Sequence, residues 1–129
     1  ARREQISGGG YSFGGNRVSA LLGSGASPDL VEMQRSVMRA TNPRGFMQAA
    51  HLLVAEGYSP EEIGTKISAP VLLIAGSEDR ISPLALHGEP LQRALPGARL
   101  EVLDAIGHLP QIEAPQRVNA LIREFLGAH

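Results

Sequence analysis

The sequence predicts an α/β chain, with a helical segment over residues 1–66 and a parallel strand–helix–strand–helix unit over residues 67–129. Two observations and one rule of chain topology lead there. Proline-led starts punctuate residues 28–66, the first two followed by apolar residues at helical spacing. After Pro70, two short apolar runs of strand length bracket a helical stretch. A strand, a helix and a second strand in that order normally form a parallel pair with a right-handed crossover.

Each element has its own signal. Residues 1–27 are rich in Gly and Ser, have weak periodicity and lead into the helices. Ser27-Pro28 sets a capping hydroxyl before a proline suited to the first helical turn, and Leu30, Met33 and Val37 then mark one apolar face. Asn42-Pro43 repeats that start, followed by Phe46, Ala50, Leu53 and Val54, with Gly57 as a stop. Ser59-Pro60-Glu61-Glu62 is a capping box opening a third, short helix. Met33, Met38, Phe46 and Met47 are expected in the core of these helices. Three helices with one apolar face each need a partner surface.

Val71-Leu72-Leu73-Ile74-Ala75, ended by Gly76, has the continuous apolar character of a strand buried on both faces. A second strand is predicted from Arg99 to Asp104, and Pro90 to Leu95 between them reads as a helix ended by Pro96-Gly97. The final segment is the clearest helix, with Val118, Leu121, Ile122 and Phe125 on one face and Gly127 at its close.

Composition narrows the function classes. The 129 residues fit one small domain, and a hydrophobic share of 43% can fill a core. A net charge of −1 argues against a nucleic-acid binder and against a polybasic membrane-surface protein. With no cysteine, disulfides, thiolate metal sites and a cysteine nucleophile are excluded. The longest apolar stretches, Pro70 to Ala75 and Ala49 to Ala55, are too short to span a bilayer. No signal-peptide pattern opens the chain, so a cytoplasmic location is expected. Lys66 is the single lysine among the basic residues, an arginine bias associated with GC-rich bacteria.

Chemistry is expected in the loops that follow the two strands, because the C-terminal ends of parallel strands form one ligand-binding edge. Gly76-Ser77-Glu78-Asp79-Arg80 leaves the first strand, and Ala105-Ile106-Gly107-His108-Leu109-Pro110 leaves the second. If the strands are neighbours, Asp79 and His108 meet at that edge. A carboxylate accepting from one imidazole nitrogen fixes the tautomer and frees the other nitrogen as a general base. Glu78 is an adjacent rival acid, and Asp104 stands at the end of the histidine strand. The plainer alternatives are a turn aspartate pairing with Arg80 and an ordinary loop histidine. His51, on the Met47/Ala55 stripe, reads as packing or as lining a pocket under the helices; His87 and His129 have no evident partner.

The run Ile67 to Arg80 with nearby Pro83 resembles the acid segment of the α/β-hydrolase family, and Leu95-Pro96-Gly97-Ala98-Arg99 through Gly107-His108 to Glu113-Ala114-Pro115 resembles its histidine segment. Residues 28–66 resemble the cap that this family inserts before the acid strand. The resemblance implies a partial α/β-hydrolase fold and a nucleophile–His–Asp triad acting on an ester, a lactone or a related small carbonyl substrate. His108 would be the base and Asp79 its orienting acid, with no metal and no organic cofactor. The family's nucleophile usually sits in G-x-S-x-G, and Gly10-Tyr11-Ser12-Phe13-Gly14 matches it. Ile6-Ser7-Gly8-Gly9 before that match does not make a buried strand, and no apolar strand separates it from the helical segment. The nucleophile is therefore expected outside this chain. Two strands alone leave an open edge, so either a missing N-terminal half or self-association through that edge is expected. The alternatives are a non-catalytic folded fragment and a compact hydrolase using Ser12.

Overall fold

The structure, a computed structural model, describes residues 12–55 and 59–127. These residues divide into two compact units, 12–19 with 27–55 and 20–26 with 59–127. Residues 20–26 and 59–66, both expected with the helical segment, thus group with the strands.

Helix α1 (Ser12–Leu21) runs through Gly14 and Gly15, in a stretch where the sequence predicts only a glycine-rich approach. Each glycine disfavours a helix by roughly 1 kcal/mol relative to alanine. Burial decides instead, since Val18 is 2% exposed. Helix α2 (Pro28–Ala40) starts as predicted, with Ser27 Oγ accepting the Leu30 amide at 3.2 Å. Its buried face is rotated from the expected one. Gln34 is buried and Leu30, Val31 and Met38 are half-buried, whereas Met33 and Val37 are 48% and 52% exposed. The stripe at steps of four residues, rather than the Leu30/Met33/Val37 line, is the one that packs. Helix α3 (Pro43–Ala55) begins with Asn42 Oδ1 accepting the Arg44 amide at 2.9 Å. Half-buried Phe46 on this helix carries the Arg17 guanidinium 4.8 Å above its ring. The expected stop, Gly57, lies outside the described residues.

In the second unit, α4 (Pro60–Gly64) is capped by Ser59, whose Oγ accepts the Glu62 amide at 3.1 Å. Strands β1 (Leu72–Gly76) and β2 (Arg99–Leu103) pair in parallel, in register from Leu72 opposite Arg99 to Gly76 opposite Leu103. Helix α5 (Gly88–Ala94) connects them, and buried Leu95 ends it. A single-turn helix α6 (Pro110–Glu113), not anticipated, precedes the long α7 (Pro115–Gly127). Leu103, Ile106, Ala114 and Val118 form the core, with Ile74 and Leu121 packed against it. Arg99 bridges Glu101 on its own strand and Glu124 on α7, both at 2.7 Å.

One expectation fails here. Leu72, Leu73, Ile74 and Ala75 are only half-buried, not enclosed on both faces. Strand β2 is the only strand paired with β1 among the described residues, so its other edge carries no ladder. No helix among the described residues is long and apolar enough to cross a membrane.

Candidate active site

The parallel pair brings the two loops together. Beyond β1 the backbone keeps hydrogen-bonding to the chain leaving β2: the Ser77 amide donates to the Leu103 carbonyl and the Glu78 amide to the Ile106 carbonyl, both at 2.9 Å. Gly76 stands where a Cβ would strike the carbonyls of Ile106 and Gly107, so only glycine lets the strands end this close. Ser77 Oγ accepts the Ala105 amide at 3.0 Å and donates to Asp104 at 3.3 Å. Asp104, at the end of the histidine strand, is thereby a partner of Ser77.

Asp79 closes a tight turn. Its Oδ1 accepts the amides of Ile81 and Ser82, each at 2.8 Å, as turn aspartates do. Its Oδ2 is 2.9 Å from Nδ1 of His108. The Asp79 side chain is 10% exposed and that of His108 is 33% exposed. Burial pushes the Asp79 carboxyl up, but the Ser82 amide, the His108 ring and the Ile81 amide together hold it below the ordinary carboxylate value. An ionised, nearly buried carboxylate thus faces a ring whose Nε2 is bonded by no described residue. With Nδ1–H donated to Asp79, Nε2 is the nitrogen able to take a proton.

Glu78, the rival acid, turns elsewhere. Its carboxylate accepts the hydroxyl and amide of Ser24 at 2.6 and 2.7 Å, and these bonds, aided by Arg80, lower its pKa. Glu113 belongs to the histidine segment's pattern, which by itself assigns it no partner. Its carboxylate accepts the amides of Gly23, Gly107 and Leu109. The Gly23 contact spans 90 residues, so no periodicity or local spacing could announce it.

Among the described residues, no hydrogen bond or ion pair to this pair involves His51 or His87. His51 is exposed on α3, and a depression lined by Pro43, Arg44, Met47 and Gln48 does not include it. His87 precedes α5 and makes no side-chain cap bond. His129 lies outside the described residues. Ser12 is the first residue of α1, and both its side chain and the preceding Gly10-Tyr11 lie outside the described residues. No group of three or more metal-ligating side chains occurs among the described residues.

No family model matches the sequence. The chain is 35% identical over 88 residues to a pimeloyl-[acyl-carrier protein] methyl ester esterase of Neisseria meningitidis, covering 68% of this chain and 33% of that protein. It is 32% identical over 116 residues to an epoxide hydrolase of Mycobacterium tuberculosis, covering 86% of this chain and 53% of that one. Among solved structures it superposes on a thermophilic esterase from Thermogutta terrifontis with a TM-score of 0.77 at 29% identity, covering 98% of this chain and 47% of that one. The chain therefore spans a third to about half the length of the curated relatives described here.

Proposed function

Because this chain belongs to the α/β-hydrolase fold family, in a part that agrees with its C-terminal portion, we propose that it supplies the base His108 and the acid Asp79 of a nucleophile–His–Asp triad. The reaction is nucleophilic attack on an ester, a lactone or a related small carbonyl substrate. The observation that carries this reading is the 2.9 Å bond from His108 Nδ1 to Asp79 Oδ2, with the other carboxylate oxygen taken by two amides. That division of labour leaves one acceptor for the ring and one basic nitrogen for a nucleophile.

The nucleophile lies outside the chain in this reading, and the chain by itself is inactive. The partial coverage of the relatives and the incompletely buried β1 support it, since parallel strands are ordinarily covered on both faces. The open edge takes further strands from an N-terminal half or from another copy. The helical unit acts as a cap. One observation favours a rival: Ser12 opens a helix, as an elbow serine does.

Intact-mass measurement after fluorophosphonate treatment, with a complete serine hydrolase as control, separates the two. The expected result is a labelled control and no adduct on this chain. A stoichiometric adduct mapped to Ser12 would replace the proposal with a compact, self-contained hydrolase. Sedimentation of the same sample is expected to report self-association or a companion polypeptide; a cooperatively folding monomer counts against the open-edge argument.

A further inference from the structure

Three consecutive amides of the histidine loop are each held by a fixed acceptor. Gly107 donates to both carboxylate oxygens of Glu113 at 3.0 and 3.1 Å, and Leu109 donates to Glu113 Oε1 at 3.3 Å. Between them the His108 amide donates to the Leu21 carbonyl at 2.7 Å. The segment that carries Leu21 is itself tied down by Glu113, which accepts the Gly23 amide at 2.7 Å. Two residues further on, the Gly25 amide donates to the Ala105 carbonyl at 3.1 Å.

This segment lies directly on the loop backbone. A Cβ on Gly23 would strike the Ala105 carbonyl oxygen and stand 2.7 Å from the Ile106 carbonyl carbon. Ala105 itself adopts φ 58°, the left-handed region that a non-glycine residue enters only under constraint. The histidine loop is therefore pinned from both sides, and one carboxylate joins the two.

We propose that Glu113 is a positioning residue for His108, fixing its backbone directly through Gly107 and Leu109 and indirectly by holding the segment that presents the Leu21 carbonyl. The inference rests on the reading of His108 and Asp79 as an acid–base pair. Glu113 reaches none of the reacting atoms. Its effect is on the Nδ1 to Oδ2 contact, because a hydrogen bond weakens steeply once its distance and angle are lost. Both carboxylate oxygens accept amides, and glutamine offers only one accepting oxygen beside an amide donor, so Glu113→Gln loosens the clamp while keeping the side-chain shape.

Proton NMR of the whole chain tests this through the far-downfield Nδ1 proton that a histidine bonded to a carboxylate displays. Asp79→Asn is expected to abolish that resonance. Glu113→Gln, folded by circular dichroism, is expected to broaden or shift it, which a purely structural role would not do. An unchanged resonance in folded Glu113→Gln overturns the clamp and leaves the pair intact. A resonance absent from the unaltered chain, or surviving Asp79→Asn, overturns the pair and the clamp with it. If Glu113→Gln does not fold, amide exchange in the unaltered chain decides. Slow exchange at Gly23, Gly107 and Leu109 sustains the clamp, and exchange at the solvent-exposed rate overturns it.

Discussion

Glu78 and Asp79 are neighbours in the chain, and their carboxylates serve different partners. Glu78 accepts from Ser24 at 2.6 and 2.7 Å, while Asp79 accepts from the His108 ring at 2.9 Å. One binds the segment that crosses the loops, and the other orients the ring.

Substitution at these adjacent positions should therefore have unequal effects. In the hydrolase carrying the complete triad, Asp79→Asn is expected to lower kcat by about 10⁴-fold, the scale seen when a triad acid is neutralised. Glu78→Gln is expected to change kcat by less than about tenfold, since its bonds are exposed and do not reach the ring. Steady-state kinetics on the two variants measures the contrast.

The depressed Asp79 carboxyl also links folding to pH. A group whose folded pKa lies below its unfolded value contributes stability that is complete above the ordinary value, about 4, and is lost as pH falls through the folded value. The Tm difference between the unaltered chain and Asp79→Asn is thus expected to be largest near pH 7 and to shrink toward pH 3. Thermal unfolding followed across that range checks the sign.

Ser27 caps α2 through the Leu30 amide. Ser27→Ala is expected to lower stability by about 1 kcal/mol, with little change on Ser27→Asp, which can accept the same amide. Urea unfolding of the three chains measures the difference.

Core and rim should separate cleanly on the sheet unit. Leu103 is 3% exposed within the core cluster, whereas Leu126 near the end of α7 is 68% exposed. Leu103→Ala is expected to cost about 2–5 kcal/mol. Leu126→Ala is expected to stay within about 0.5 kcal/mol. Denaturant midpoints of both variants decide.

What the sequence made legible was mostly local. Proline and capping residues located α2, α3 and α4 to within a residue or so, because cap hydrogen bonds join positions three or fewer apart. The apolar runs located β1 and β2, and their order implied the parallel pairing that sets Asp79 beside His108. Helix α1 was missed because burial of Val18 outweighs two glycines, which no propensity reading registers. The packed face of α2 was misjudged because hydrophobicity favoured Met33 and Val37, while Gln34 is the buried position. The roles of Ser24, Gly23 and Leu21 could not be read at all, since each meets its partner across more than fifty residues of chain.

The grouping of residues 20–26 with the strands has a practical consequence for anyone building chimaeras from this family. Helical residues flank that stretch on both sides in sequence, so the two units are interleaved rather than consecutive. A donor helical segment exchanged as one uninterrupted block would replace Leu21, Gly23 and Ser24 along with it. The recipient would then inherit foreign partners for its own Glu78 and Glu113. A graft with two crossover pairs, leaving 20–26 native, transplants the helices without rewiring the histidine loop.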